Sequence, residues 1–179
     1  MNNLNNLSET QRVMHKDLFD KIKCAIDNSF YLEALFLEYS ALECRLEVMS
    51  GVFGLPCNKL LELEKRKAIN ISQRVKCLKK TYKMSDVLFE KTSIDNEFWR
   101  NIEEWIKQRN IYVHGLLKNA DEYKSRLSQI EKLAKIGFDL IYVLYKEVNR
   151  IKRKQQKEGY KFISNCCKKE CKFVKDKER

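Results

Sequence analysis

Three polar side chains stand close together in the stretch EEWIKQRNIYVHGLLK, residues 103–118: Arg109, Asn110 and His114. Arginine supplies a permanent planar cation whose geometry matches phosphate oxygens. Histidine can take or give a proton near neutral pH, and asparagine offers both a hydrogen-bond donor and an acceptor. Together these groups could carry out phosphodiester chemistry without a metal ion.

Other catalytic signatures are missing from the sequence. It has no acidic cluster of the two-metal nuclease kind, no GxxxxGK[ST] loop and no HExxH pattern. The run CCKKEC (residues 166–171) offers three thiols, but a zinc site would need a fourth ligand from elsewhere. We therefore expect neither a metal ion nor a cofactor.

Apolar periodicity places the three side chains on an amphipathic helix. At about 100° per residue, one stripe contains Phe98, Ile102, Trp105, Ile106, Val113 and Leu116, and Arg109 falls in its middle. Asn110 and His114 are four residues apart and share one flank. An earlier helix gives a second stripe, made of Leu32, Leu35, Phe36, Tyr39, Leu42, Leu46 and Met49, and Glu43 falls inside it.

A charge at a core-facing position costs several kcal/mol unless it is paired. Glu43 and Arg109 are therefore expected to pair with each other, to face a wet cleft, or both. Two interpretations are open. The structural one is a buried ion pair that fixes the helix register, and the functional one is that the two charges belong to an active or binding site.

The fold class follows from composition and periodicity. The 179 residues include 5 Gly and 1 Pro, which are too few for the turns of a sandwich or barrel, and no segment alternates long enough to predict a strand. We predict an all-α, up-and-down bundle of four to five main helices. The expected helices cover residues 8–28 (capped by Ser8 and Gln11), 30–49, 58–68, 70–83, 96–118 (capped by Asp95 or Asn96) and 120 onward.

Most of the net charge of +11 lies at the C-terminus. From Arg150 onward there are twelve Lys and Arg against four Asp and Glu. This extended basic helix and tail could follow a phosphate backbone, or it could simply be a solvated helix end. Candidate RNA-binding residues, on this tail and beside the Arg109 stretch, are Lys107, Lys118, Arg150, Lys152, Arg153 and Lys154.

The sequence also resembles a known family. RNIYVH matches the Arg-polar-x3-His pattern of the HEPN superfamily, and FYLEALFLEYSALECRLEVM resembles the other recurrent HEPN segment, an apolar helix with an acidic residue at the position of Glu43. HEPN domains are small α-helical domains, many of which are ribonucleases in toxin–antitoxin, abortive-infection and CRISPR systems. The resemblance implies an HEPN-like domain over residues 1–158, followed by a tail over 159–179.

The resemblance also implies a mechanism. HEPN ribonucleases are usually homodimers that cleave RNA without metal through the neighbouring 2′-hydroxyl, leaving a 2′,3′-cyclic phosphate. Here His114 would be the general base or acid, Arg109 would stabilise the phosphorane, and Asn110 would orient the phosphate or the histidine. Glu43 would hold Arg109 in place. An antitoxin or another defence-system protein is a possible partner.

One position departs from the family pattern. HEPN toxins paired with nucleotidyltransferase antitoxins commonly carry Tyr two residues after the His, and here Leu116 stands there. Two other interpretations remain open: a non-catalytic module that binds RNA, a nucleotide or a partner, and a structural bundle with a basic tail. No export signal or stretch of about eighteen apolar residues is present, so we expect a cytoplasmic protein with free thiols and no membrane association.

Overall fold

The structure, a computed structural model, describes residues 3–52, 70–83, 92, 94–115, 123–158, 160–165 and 170–175. In the described ranges up to residue 158 the chain is an all-α helical bundle with five helices, which confirms the predicted fold class. The helices are α1 (Asn3–Asp27), α2 (Tyr31–Val52), α3 (Ile71–Lys83), α4 (Asn96–Gly115) and α5 (Tyr123–Glu158). The helix expected over 58–68 and the expected end of α4 near residue 118 lie outside the described residues. Of the helices described, none is long and apolar enough to cross a membrane.

A tight turn joins α1 to α2. The Phe30 amide donates to the Ala25 carbonyl (2.7 Å) and the Ser29 amide to the Ile26 carbonyl (3.0 Å). This is the Schellman arrangement, and Ser29 supplies its left-handed residue with φ 64°. The capping box predicted at Ser8 and Gln11 is wrong, because α1 already begins at Asn3.

Polar side chains cap α3 and α4. The Asn70 carboxamide accepts from the amide of Ser72 (2.7 Å). The Asp95 carboxylate accepts from the amide of Phe98 (2.7 Å), as the sequence predicted for α4. Each cap satisfies an amide that the helix itself leaves without a partner. They fix where α3 and α4 begin, and therefore which face α4 buries.

The chain divides into two compact units. The first comprises residues Met1–Leu42 and Trp105–Ile141, and the second comprises Glu43–Glu104 and Tyr142–Arg179. The division falls inside α2, α4 and α5. The sequence analysis predicts a different division, into one helical domain and a tail.

The first unit has an apolar core that includes one contact between aromatic rings and one buried indole. Phe19 of α1 meets the Phe138 ring of α5 edge to face, with centroids 5.9 Å apart. Trp105 of α4 is 2 % exposed, and its indole N–H donates to the Leu133 carbonyl at 2.9 Å. Burial of such large rings contributes most of the stability of a small core. The other fully buried side chains of this unit include Ile22, Ala34, Leu35 and Ala134.

The second unit buries charged as well as apolar side chains. Glu147 is 2 % exposed and accepts hydrogen bonds from Arg150 (2.7 and 2.8 Å) and from the Thr92 hydroxyl (2.7 Å). Arg45 is 3 % exposed, and its guanidinium lies over the Tyr145 ring at 4.6 Å. A buried carboxylate with this many donors is well compensated, so Glu147 and Arg150 act as a structural pair.

The basic tail contains a β-hairpin that the sequence analysis did not predict. Strand β1 (Tyr160–Asn165) pairs antiparallel with β2 (Glu170–Lys175), and the register runs from Tyr160 opposite Lys175 to Asn165 opposite Glu170. The prediction that no segment forms a strand was wrong here. Helix α5 ends at Glu158, directly before the tail predicted from residue 159.

Candidate active site on helix α4

Helix α4 buries the apolar stripe that the sequence predicted for it. Phe98, Ile102, Trp105 and Ile106 are between 0 and 7 % exposed. Arg109 continues this stripe one turn later and is 7 % exposed, so the prediction of an arginine within a buried stripe is confirmed. Val113 is half-buried, and Leu116 lies outside the described residues.

Aromatic rings of α2 hold the Arg109 guanidinium. Its central carbon lies 4.4 Å from the centroid of Tyr39 and 5.1 Å from that of Phe36. Tyr39 and Phe36 are three residues apart, so they belong to neighbouring turns of one helix face. Cation–π contact of this kind favours a positive charge without neutralising it.

No acidic side chain compensates Arg109 within the described part of the chain. One terminal nitrogen donates to the Asn110 carboxamide oxygen at 3.2 Å, while Nε is buried and has no hydrogen-bond partner there. Burial lowers the pKa of the guanidinium, and the neighbouring Tyr39 opposes this effect. Because arginine keeps its proton in proteins, the site contains a partly desolvated cation for which the described residues supply no anion.

Asn110 and His114 share one flank of α4, as predicted. Asn110 is half-buried and touches Arg109 through its carboxamide, whereas His114 is exposed in the last turn of the helix. Among the described residues, the structure brings Arg109 and Asn110 together but gives His114 no contact with either. A five-residue separation also places Arg109 and His114 about 140° apart around the helix axis.

The prediction for Glu43 is corrected by the structure. Glu43 is exposed, so it lies outside the buried stripe of α2. The proposed role of Glu43 in holding Arg109 depended on its position in that stripe and is no longer supported. The acidic residue inside that stripe is Glu38, which is 0 % exposed. Helix α2 is apolar on nearly every side, so its periodicity did not determine which face is buried.

The Glu38 carboxyl group packs against Gly137, where any larger residue would fill the space that this carboxyl occupies. A Cβ atom on Gly137 would collide with the Glu38 carboxyl and would come within 2.6 Å of the Trp105 indole nitrogen. Neither carboxyl oxygen of Glu38 has a hydrogen-bond partner in the described residues. Burial raises the pKa of Glu38 to about 9; Asp139 adds to the rise, and the Phe138 backbone opposes it. Glu38 is therefore a neutral acid at pH 7.

The candidate RNA-binding residues have different surroundings. Lys107 and Arg153 are exposed, and Lys152 and Lys154 are half-buried. Arg150 is half-buried and donates hydrogen bonds to the buried Glu147, and its RNA-binding role stays a prediction. Lys118 lies outside the described residues.

The sequence analysis missed three residues of this site. Phe36 and Tyr39 were expected in a core stripe, but Phe36 is 53 % exposed and both rings contact Arg109. Glu38 was not singled out at all. Spacing alone could not identify it: Glu38 lies between the buried Leu35 and Leu42, but the exposed Glu43 lies at equivalent spacing between Tyr39 and Leu46.

Two other features of the described residues bear on binding. A pocket of about 320 Å³ is lined mainly by residues 29–33 together with Leu127 and Ile130, and it contains none of the predicted site residues. No group of three or more His, Cys, Asp or Glu side chains within those ranges is placed to hold a metal ion. Cys166 and Cys167 of the predicted thiol cluster are outside them.

Comparison with known proteins gives only a partial similarity. No protein-family model matches the chain, and no solved structure matches it. A 66-residue segment, 37 % of this chain, is 29 % identical to syndetin from Gallus gallus and from Mus musculus, and 27 % identical to syndetin from Rattus norvegicus. That segment spans 7 % of the length of each syndetin.

Proposed function

We propose that this protein is a metal-independent endoribonuclease of the HEPN toxin or defence type. Its active site would be centred on Arg109, Asn110 and His114. We further propose that it works in the cytoplasm as a homodimer and that an antitoxin or another defence-system protein controls it. The resemblance of RNIYVH to the HEPN pattern supports this assignment.

The proposed reaction is an internal transfer at phosphorus. The 2′-oxygen of one nucleotide attacks the adjacent phosphate and loses its proton to a base, while the bond from phosphorus to the 5′-oxygen breaks. The leaving oxygen takes up a proton, and the products are a 2′,3′-cyclic phosphate and a 5′-hydroxyl. His114 serves as the base or the acid, and Arg109 stabilises the added negative charge of the phosphorane.

One observation carries the proposal: Arg109 is a buried cation held by aromatic rings rather than by a carboxylate. The half-buried Arg150 is paired with the acid Glu147, whereas Arg109, like the buried Arg45 over Tyr145, has only aromatic contacts for its charge among the described residues. A phosphate group would supply the negative charge that Arg109 lacks, and arginine binds phosphate with two parallel hydrogen bonds. Asn110 restricts the rotation of the guanidinium.

The separation of Arg109 and His114 around α4 supports a role for two protomers. A cleft between two copies of the chain would present both residues from each copy to one substrate. A two-fold axis repeats every contact, so Arg109 from one protomer and His114 from the other could reach the same phosphate. An arginine in an apolar stripe is tolerated when that stripe borders a partly hydrated interface.

The test is RNA cleavage in EDTA by the wild type, His114→Ala and Arg109→Met. We expect cutting by the wild type, with cyclic-phosphate ends, and a loss of at least about a hundredfold in either variant. Asn101→Ala, which alters an exposed residue of the same helix, is the matched control and should cut normally. Equal cutting by all four proteins would overturn the assignment of the site.

The exposed position of His114 favours a second candidate function, a binding module without turnover. His114 has no contact with Arg109 or Asn110 among the described residues, so the pair is not assembled within one chain. On this alternative, Arg109 binds a phosphate of RNA or of a nucleotide. RNA binding that needs Arg109 but not His114, with no cutting by any variant, would establish it.

A further inference from the structure

Phe36 is an exposed aromatic ring beside the cation of the proposed site. It is 53 % exposed, whereas phenylalanine is among the residues most often buried in folded proteins. Its ring lies 5.1 Å from the central carbon of the Arg109 guanidinium. The buried part of Phe36 therefore supports Arg109, and the remainder of the ring faces solvent.

An exposed aromatic ring in contact with a buried cation is unusual among the exposed large apolar side chains that the structure describes. Phe30 is 60 % exposed and Ile111 is 50 % exposed, and neither has a described contact with a cation. Tyr142 lies beside Lys146, but that contact joins two exposed side chains one turn apart on α5. Phe36 alone in this set is next to a buried guanidinium.

Arg109 and Phe36 match the phosphate and the base of a nucleotide, respectively. A guanidinium binds the phosphate, and an exposed aromatic face stacks on the base, whichever base it is. The distance between Arg109 and Phe36 lies within the reach of a single nucleotide. Stacking of this kind tolerates any sequence, because every base has a π-face.

We propose that Phe36 is a base-stacking residue, which holds an unpaired base next to the phosphate bound by Arg109. This inference rests on the proposed function and adds to it a residue that contacts the base of an unpaired nucleotide. It also makes Phe36 a positioning residue. A stacked base would fix the phosphate relative to the Arg109 fork and would not itself take part in proton transfer.

The test separates base contact from backbone contact. The probes are a short 2′-O-methyl oligouridine, which has no free 2′-hydroxyl and resists cleavage, and an abasic oligomer of the same length and charge. Affinities for both are measured with the wild type, Phe36→Ala and Phe36→Trp. Phe30→Ala is the control, since it removes an equally exposed ring that has no described contact with Arg109.

We expect removal of the bases to weaken binding by the wild type by about 5- to 150-fold, the equivalent of one stacking contact. The same change should have little effect on Phe36→Ala, while Phe36→Trp and Phe30→Ala should behave like the wild type. Equal sensitivity to base removal in the wild type and Phe36→Ala would overturn the proposal.

Two further outcomes are informative. A fall in molecular mass of Phe36→Ala by sedimentation, with unchanged base sensitivity, would overturn stacking and assign the ring to a protein interface. If the wild type cleaves RNA without metal but binds the oligouridine and the abasic oligomer equally well, stacking would also be overturned, while the proposed function would remain. A wild type that neither cleaves RNA nor binds either oligomer would overturn both.

Discussion

A carboxyl group that is buried in an apolar interior without well-placed hydrogen-bond donors favours its neutral form. Glu38 is in this position among the described residues, and its pKa is raised to about 9. At pH values between the ordinary glutamate pKa near 4.5 and about 9, Glu38 is deprotonated in the unfolded chain but protonated in the folded chain. Rising pH therefore lowers the free energy of unfolding, by at most about 1.4 kcal/mol per pH unit from this group.

We predict that Glu38→Gln becomes progressively more stable than the wild type as the pH rises. Glutamine has the shape of a protonated glutamate, so the variant keeps the packing and removes the titration. The measurement is urea unfolding of both proteins between about pH 5 and about pH 8. Glu43→Gln, at the exposed acid of the same helix, should show no such trend. A difference between Glu38→Gln and the wild type that does not change with pH would contradict the account.

The sequence predicted the residues of the site more reliably on α4 than on α2. Arg109 interrupts a stripe with polar flanks, so its burial followed from spacing alone. On α2 apolar residues occur on all sides of the helix, and the choice of face depends on contacts with helices distant in sequence. That is why Glu43 was placed in the core while Glu38 was overlooked. The aromatic contacts of Arg109 are also tertiary and leave no local signature.

At the scale of elements, Gly137 permits a close approach between α5 and two other helices. A Cβ at this position would come within 2.8 Å of two atoms of the Trp105 indole and would strike the Glu38 carboxyl. Trp105 is held by its hydrogen bond to the Leu133 carbonyl, so it has little freedom to move aside. The glycine is therefore a packing requirement of the first unit.

We predict that Gly137→Ala destabilises the fold by about 1–3 kcal/mol, because overpacking outweighs the better helix propensity of alanine. Gly51→Ala is the matched control, since Gly51 lies in α2 and a Cβ there meets nothing within 4 Å. It should leave stability unchanged or raise it by up to about 1 kcal/mol. Thermal unfolding of both variants measures the two effects, and a Gly137→Ala protein as stable as the wild type would contradict the packing assigned to α5.

Helices with a clear polar face or a capping residue were the predictable elements. Asp95 caps α4 as expected, and α1 to α5 appear wherever the structure describes their predicted ranges. The hairpin was not predictable by the same reasoning, because Cys166, Cys167, Lys168 and Lys169 between its strands are not a recognised hairpin turn. Pairing of β1 with β2 is a non-local interaction, and six-residue strands give little periodic signal.

At the scale of the whole molecule, the charge distribution bears on nucleic-acid binding. The surplus of eight positive charges after residue 149 includes the lysines of the hairpin. A cation that contacts a phosphate releases counter-ions, so each contact steepens the salt dependence of the affinity. The core of the proposed site, Arg109 with Asn110, contributes a single charge.

We predict that deleting residues 160–179 weakens the salt dependence of RNA binding. The slope of log affinity against log salt concentration should become less steep by about 0.7 for each phosphate that the tail binds in the intact protein. The triple variant Lys161→Gln, Lys172→Gln and Lys175→Gln is the control for shape, because it removes charge while keeping the length of the hairpin. Fluorescence anisotropy over a range of salt concentrations measures both slopes. An unchanged slope in the truncated protein would show that the tail does not contact RNA.

The measurement that tests the central claim most directly compares two oligonucleotides of identical sequence in EDTA, one of RNA and one of 2′-O-methyl RNA. Attack by the 2′-hydroxyl requires that group to be free. We predict that the wild-type protein cuts only the RNA, leaving 2′,3′-cyclic phosphate ends, and that His114→Ala cuts neither. Intact RNA after incubation with folded wild-type protein, or equal cutting of the two oligonucleotides, would contradict a metal-independent ribonuclease centred on Arg109, Asn110 and His114.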